Sequence, residues 1–428
     1  MTNKPPKFDP SIFMTPEYWL DPYPALKILR DHYPLYHDAE HGQWYLTRYD
    51  DVVNAFRDNN VHYSNRLYAD FMGIVFGTTM MQFDGTEHTQ RRNVVAPEFV
   101  GKKLETLLPI IEKNTQELID KFTLQNAESI AESIAESIHQ QGEVDLIDAF
   151  SARLPVKVII DMLGLPQKDH ATFNEWYPAM MDGLTGNEEQ RAIGIQANQA
   201  FHRYIDRLID ERSVTPGDDL ISRLCVAEVE GTRMDTEDIK AFASLLLVAG
   251  GETTDKVIAS MWYHLMKNPV QLKEVQKDPD LMDRVFVETM RLTAPAGSQT
   301  REVISPVQLY GQTIPVGEVV HLSIYGGNHD DRVFKDPDEF NIFREDLYFG
   351  RDLRTGYYEG GQASHLGFGL GKHFCVGYQL ARSEAVIGSK ALLKVMKDPQ
   401  LKPGTQARAH TASPFLEVPK LELVYEPA

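Results

Sequence analysis

The chain has 428 residues, 42% of them apolar, with 43 Lys and Arg against 62 Asp and Glu, a formal charge of −19. That is enough apolar chain for a large core, and the acidic balance argues against general nucleic-acid binding, which needs a basic face to neutralise phosphates. No apolar leader opens the sequence and no run of about 18 uncharged apolar residues occurs, so no membrane anchor and a cytoplasmic location are expected. The two cysteines, Cys225 and Cys375, lie far apart and do not form a disulfide framework.

In chain order, residues 1–20 read as an N-terminal extension. A short helix is predicted from Pro24 to His32, then a strand from Gly42 to Tyr49, then a helix that Asp50 or Asp51 can cap. The middle of the chain has apolar residues at three- and four-residue spacing. It breaks at Gly164-Leu165-Pro166, Thr215-Pro216-Gly217 and Asn268-Pro269. An Ala-Glu-Ser-Ile repeat over 127–138 reads as a helix insertion, with Ile130, Ile134 and Ile138 on a slowly wrapping stripe. It is either a lengthened surface helix or an edge for docking or self-association. Cys225 sits in the apolar run Leu220 to Val226 and reads as inert packing.

The longest helical pattern runs from an Asp235 cap to Asn268, about 48 Å at 1.5 Å per residue. Strand text appears late, at 307–310 and 319–322. The expected class is mainly α with a minor β part (α+β). No linker divides it, so one domain is expected over 1–428.

The long helix is interrupted at its centre by Ala249-Gly250-Gly251-Glu252-Thr253-Thr254-Asp255. Each glycine costs about 1 kcal/mol relative to alanine there, and a polar cluster in a core helix needs partners. The segment is either a kink or close helix crossing, or a groove where a ligand meets the backbone beside a carboxyl and a hydroxyl.

Around Cys375 the sequence is Phe368-Gly369-Leu370-Gly371-Lys372-His373-Phe374-Cys375-Val376-Gly377, followed by an amphipathic run. Neither a dinucleotide fingerprint nor a phosphate loop fits the glycine spacing. What remains is one cysteine at the start of a helix, where the thiolate is favoured as a metal ligand or nucleophile. Zinc would want more ligands, and His373 is a poorly directed base. One thiolate suits haem, because the porphyrin supplies four nitrogens and needs one axial protein atom.

The pattern Phe368, Gly371, His373, Cys375, Gly377 resembles the haem-binding loop of the cytochromes P-450, the haem-thiolate monooxygenases. Residues 249–254 resemble that family's oxygen-binding helix. Glu288-Thr289-Met290-Arg291 resembles its Glu-x-x-Arg helix, with Arg344 as the third member of the ion-pair triad. The resemblance runs from about Asp21 to the C-terminus. It implies the cytochrome P-450 fold, with haem b buried between the long central helix and the cysteine loop and Cys375 thiolate as axial ligand. It also implies that His88, Arg92, Arg301 and His373 meet the haem propionates. The sequence departs from the family at Asn328-His329-Asp330, where many relatives carry Arg in the middle, and in the longer Gly- and Tyr-rich segment 348–364.

By the same resemblance, Gly250 and Gly251 open the helix for O2, Thr253 orients a proton toward the bound oxygen, and Glu252 relays protons from solvent. The expected reaction is insertion of one oxygen atom from O2 into a hydrophobic, bulky substrate. Phe71, Met72, Ile74, Val75, Phe76, Met80 and Met81 form an apolar loop where the family keeps its substrate roof. Trp176, Met180, Met181 and Leu184 offer another wall, and Ala249 faces the same space. Electrons are expected from a separate ferredoxin or flavodoxin with its NAD(P)H reductase, because the chain ends soon after Tyr425. Arg91, Lys102, Lys103 and Lys372 are the candidate docking cations. The alternatives are a peroxide-driven haem-thiolate enzyme, which the Glu252–Thr253 pair disfavours, and a non-catalytic haem sensor or electron carrier.

Overall fold

The computed structural model describes residues 6–133, 142–405 and 420–427. Its helices are α1 (Pro16–Leu20), α2 (Tyr23–His32), α3 (Tyr49–Phe56), α4 (Tyr68–Phe76), α5 (Gly85–Val95), α6 (Gly101–Ser133), α7 (Leu154–Met162), α8 (His170–Thr185), α9 (Glu188–Val214), α10 (Leu220–Val226), α11 (Thr236–Lys267), α12 (Pro269–Lys277), α13 (Met282–Leu292), α14 (Ile324–Asn328) and α15 (Tyr378–Val395). The strands are β1 (Leu35–Asp38), β2 (Gln43–Leu46), β3 (Tyr63–Ser64), β4 (Gly142–Asp145), β5 (Ser298–Val303), β6 (Val307–Leu309), β7 (Gln312–Ile314), β8 (Val319–Ser323), β9 (Met396–Leu401) and β10 (Glu422–Pro427). The class is mainly α with minor β, as expected. The described residues cluster into two compact units, one of residues 6–67 and 283–375, the other of the remainder.

The first unit is built on a five-stranded sheet in the order β1-β2-β8-β5-β3. β2 and β8 run parallel, with Trp44 opposite Val320, and the other pairs are antiparallel. Trp44, Leu46, Val320 and Leu322 are buried by strict alternation. Of these strands, 43–46 and 319–323 were legible as apolar alternation. β1, β3 and β5 were not, because their sequences alternate weakly and their partners lie far away in the chain. α3 begins at Tyr49, without a side-chain cap, rather than behind Asp50 or Asp51. Both aspartates sit in its first turn, where they suit the positive end of the helix dipole, and Asp330 accepts from the Tyr49 amide instead.

The second unit is organised around α11. Asp235 caps it as predicted, its side chain accepting from the Asp238 amide, and it runs 32 residues. α7, α8, α9, α10 and α15 pack against it, and Trp262 donates to Ser389 on α15 at 3.2 Å. A sheet in the order β4-β10-β9 closes this unit. Phe71 to Phe76, expected as a loop, is the body of α4: an apolar segment with no Pro satisfies its backbone most cheaply as a helix. The Ile130, Ile134 and Ile138 stripe lies outside the described side chains. Cys225 is partly buried, and burial pushes its thiol upward, in keeping with inert packing.

Candidate active site

The Cys375 loop is a tight backbone construction. Gly371 lies at φ +67°, and a Cβ there would come within 2.6 Å of the Phe56 carbonyl, so only glycine fits. The Cys375 amide donates to the Phe368 carbonyl at 3.0 Å, closing the loop, and the cysteine is exposed. Phe368 stacks near Phe286, with centroids 6.1 Å apart, and Gly377 precedes the first residue of α15. The glycines serve turn geometry and close backbone approach.

His373 Nδ1 lies 3.0 Å from the Asn65 side-chain nitrogen. With that amide as donor, Nδ1 accepts and the ring proton sits on Nε2. Asn65 carried no sequence signal for this role. Arg301 is buried on β5, opposite Val320, and its guanidinium lies 5.5 Å over the Phe56 ring. One guanidinium nitrogen donates to the Thr300 carbonyl at 2.7 Å. In the other unit, His88 and Arg92 fall one turn apart on α5, with His88 buried. Within one unit, an exposed cysteine thiol, the Arg301 guanidinium and the His373 ring are a thiolate and anion donors of the kind that an iron porphyrin with carboxylates takes.

Glu288, Arg291 and Arg344 meet as the sequence predicted. Arg291 Nε and Arg344 Nε each lie 2.8 Å from a Glu288 oxygen, and Glu288 and Arg291 are fully buried. Arg291 also donates to the carbonyls of Asn328, Pro337 and Glu339 at 2.7–3.0 Å, so the fork ties down two further segments at once. The departure at His329 is accommodated. Its ring stacks on Tyr23 at 4.0 Å, Nδ1 pairs with Asp338 at 2.8 Å and Nε2 with the Leu292 carbonyl at 2.9 Å. Burial lowers its pKa.

At the centre of α11, Ala249 is exposed in a helix otherwise buried along most of its length. Thr253, one turn on, donates to the Ala249 carbonyl at 2.7 Å. The glycine pair lies at a close helix crossing. A Cβ on Gly250 would lie 2.8 Å from Ile159 of α7, and one on Gly251 would lie 3.0 Å from the Tyr177 ring of α8. Glu252 accepts from the Tyr177 hydroxyl at 2.9 Å and pairs with Lys256 at 3.2 Å. Asp255 is buried and accepts from Ser151 at 2.5 Å; burial pushes its carboxyl up to about 6. Tyr177, Ser151 and Lys256 were not singled out from the sequence, since nothing in their local text marks them.

The apolar candidates divide. Val75, Phe76 and Met180 are buried core residues, whereas Met72, Met80, Met81, Trp176, Met181 and Leu184 are partly exposed and Ile74 is 48% exposed. The Phe71 side chain lies outside the described set. The docking cations divide as well. Arg91 is bound by Asp238, and Lys103 faces Glu98 at 3.5 Å. Lys372 is exposed, and Arg57 and Arg354 join it. Arg57 donates to the Thr355 carbonyl at 3.1 Å, and Arg354 lies 5.7 Å over the Phe374 ring, next to Cys375.

A cysteine on a glycine-shaped loop in one unit, and a long helix carrying an acid and an alcohol in the other, are features that a haem-thiolate enzyme uses. The sequence model of the family Cytochrome P450 matches residues 31–397. The chain belongs to the cytochrome P450 family, monooxygenase oxidoreductases that bind haem b through a cysteine thiolate. It is 30% identical to pulcherriminic acid synthase of Bacillus subtilis, over 91% of each chain. It is 32% identical to cytochrome P450 107B1 of Saccharopolyspora erythraea, over 83% of this chain and 82% of the relative. Among solved structures, CYP109E1 of Bacillus megaterium in complex with corticosterone superposes with a TM-score of 0.80. That match has 27% identity and covers 96% of this chain and 100% of that one. Among the described residues, no helix is long and apolar enough to cross a membrane.

Proposed function

We propose that this chain inserts one oxygen atom from O2 into a bulky, apolar substrate, using electrons delivered by a separate acidic ferredoxin or flavodoxin. The observation that carries the reading is the Glu252–Thr253 pair beside exposed Ala249, in the middle of an otherwise buried helix. Acid and alcohol at such a point serve proton delivery, which an electron carrier does not need. Haem held by the Cys375 thiolate supplies oxygen binding and O–O cleavage.

The rest falls to side chains. His88 and Arg92 in one unit, and Arg301 and His373 in the other, would offer donors to the haem carboxylates. Thr253 holds a hydroxyl over the Ala249 carbonyl, with its oxygen lone pairs available as acceptors. Glu252 brings protons from the solvent side. Met72, Met80, Met81 and Met181 supply flexible apolar contacts that suit a large hydrophobe. The likeness to a steroid-bound relative and to a polyketide-biosynthesis P450 of Bacillus subtilis supports steroids, terpenoids, acyl chains or macrolides as the compound class. Exposed Arg57, Arg354 and Lys372 beside the cysteine loop support an acidic electron donor.

Thr253→Ala tests the reading. With a ferredoxin, its reductase and a hydrophobe that shifts the haem band, the variant is expected to consume NADPH but divert most of it to hydrogen peroxide. Product formation in full proportion to NADPH would sink the role of Thr253. The carbon monoxide spectrum of the reduced protein checks the thiolate ligation separately.

A further inference from the structure

We propose that Tyr177 is a positioning residue that latches Glu252 onto α8, so that release of this one hydrogen bond gates proton delivery to Thr253. The proposal rests on the monooxygenase reading above. Both carboxylate oxygens of Glu252 are engaged, Oε2 by the Tyr177 hydroxyl at 2.9 Å and Oε1 by Lys256 at 3.2 Å. The Thr253 hydroxyl is meanwhile spent on the Ala249 carbonyl at 2.7 Å. In this arrangement the acid and the alcohol are each bonded elsewhere, and a proton passes between them only after Glu252 turns away from α8.

Three features make the latch specific. Gly251 lets the Tyr177 ring lie flush on α11, because a Cβ there would meet it at 3.0–3.2 Å. Pro178, the next residue, stands inside α8 and has no amide to give to the turn before it, which weakens the helix where the latch is mounted. The other nearby acid, Asp255, is occupied by Ser151 at 2.5 Å and faces Lys256 at 3.6 Å, so it neither replaces Tyr177 nor competes for it. A hydrogen bond to a carboxylate favours the held state by roughly tenfold or more.

Tyr177→Phe keeps the ring and removes the hydroxyl. In the haem-loaded full chain, the Glu252 carboxylate band is isolated as the infrared difference between wild type and Glu252→Gln. That band is expected to shift in Tyr177→Phe. With a plant-type [2Fe–2S] ferredoxin, its NADPH reductase and testosterone as probe, NADPH oxidation should accelerate by up to about tenfold. The solvent isotope effect should shrink, and neither change should appear when Tyr177→Phe is made in Glu252→Gln. An unmoved carboxylate band, or an equal effect in the Glu252→Gln background, overturns the latch. A wild-type protein that consumes no NADPH under oxygen, with the infrared shift intact, overturns instead the monooxygenase reading on which the gating rests.

Discussion

Glu384 on α15 is 2% exposed, its Oε2 has no hydrogen-bond partner, and burial pushes its carboxyl up to about 8. A folded-state value above the ordinary 4.5 means the native protein binds the extra proton, so stability falls as pH rises from 4.5 toward 8. Glu384→Gln keeps the shape and removes the charge. Its thermal midpoint is expected to exceed that of wild type by several degrees at pH 8 and to match it near pH 4.5. His321 acts in the opposite sense. Packed on Tyr45 and bonded to Gln43, it is lowered to about 4, so the native state resists its protonation and stability is lost as pH falls from 6.5 toward 4. His321→Gln should flatten that acid limb in denaturant titrations. At this scale the sequence was legible where residues form a pattern, as at Cys375 and the Glu288–Arg291–Arg344 triad. It was silent where a lone polar residue is buried by distant chain, as with Glu384, Asn65 and Tyr177.

Among the elements, α11 was readable to the residue because one helix carries its own cap, period and terminating Asn-Pro. The strands β1, β4, β5, β9 and β10 escaped because pairing, not local text, makes them strands. The crossing of α8 and α9 was equally hidden. Gly183 and Gly194 face each other so closely that a Cβ on either would lie 2.7–2.8 Å from the other's Cα. Gly183→Ala or Gly194→Ala must push the helices apart, at a cost of about 1–3 kcal/mol. Urea unfolding should show that loss in each single variant, with the double variant costing less than the sum, since one displaced helix relieves both clashes. Additive losses would mean the two helices do not move as a pair.

For the molecule as a whole, a charge of −19 makes exposed cations informative where they gather without acidic partners. Arg57, Arg354 and Lys372 come from three separate segments, and the Gly- and Tyr-rich stretch that departs from the family supplies one of them. Tyr49 ties that stretch down, its hydroxyl reaching the Gly356 and Ser364 carbonyls at 2.8 and 2.7 Å. Charge reversal at Arg57 and Arg354 together is expected to slow reduction by an acidic ferredoxin several-fold at low salt and to flatten its salt dependence. Reversal at Arg91 or Lys103, already paired within the protein, should do less. Stopped-flow reduction under carbon monoxide measures both.

The parallel pairing of β2 with β8 carries a further consequence, for biosynthesis. Gln43 lies opposite Val319, so β2, the second strand to leave the ribosome, has no partner on its second edge until most of the chain has been made. At about 10 residues per second that wait is on the order of half a minute, with an open strand edge exposed throughout. The cysteine loop is made later still. Prosthetic-group capture is therefore a late event for this polypeptide, following synthesis of the Cys375 loop.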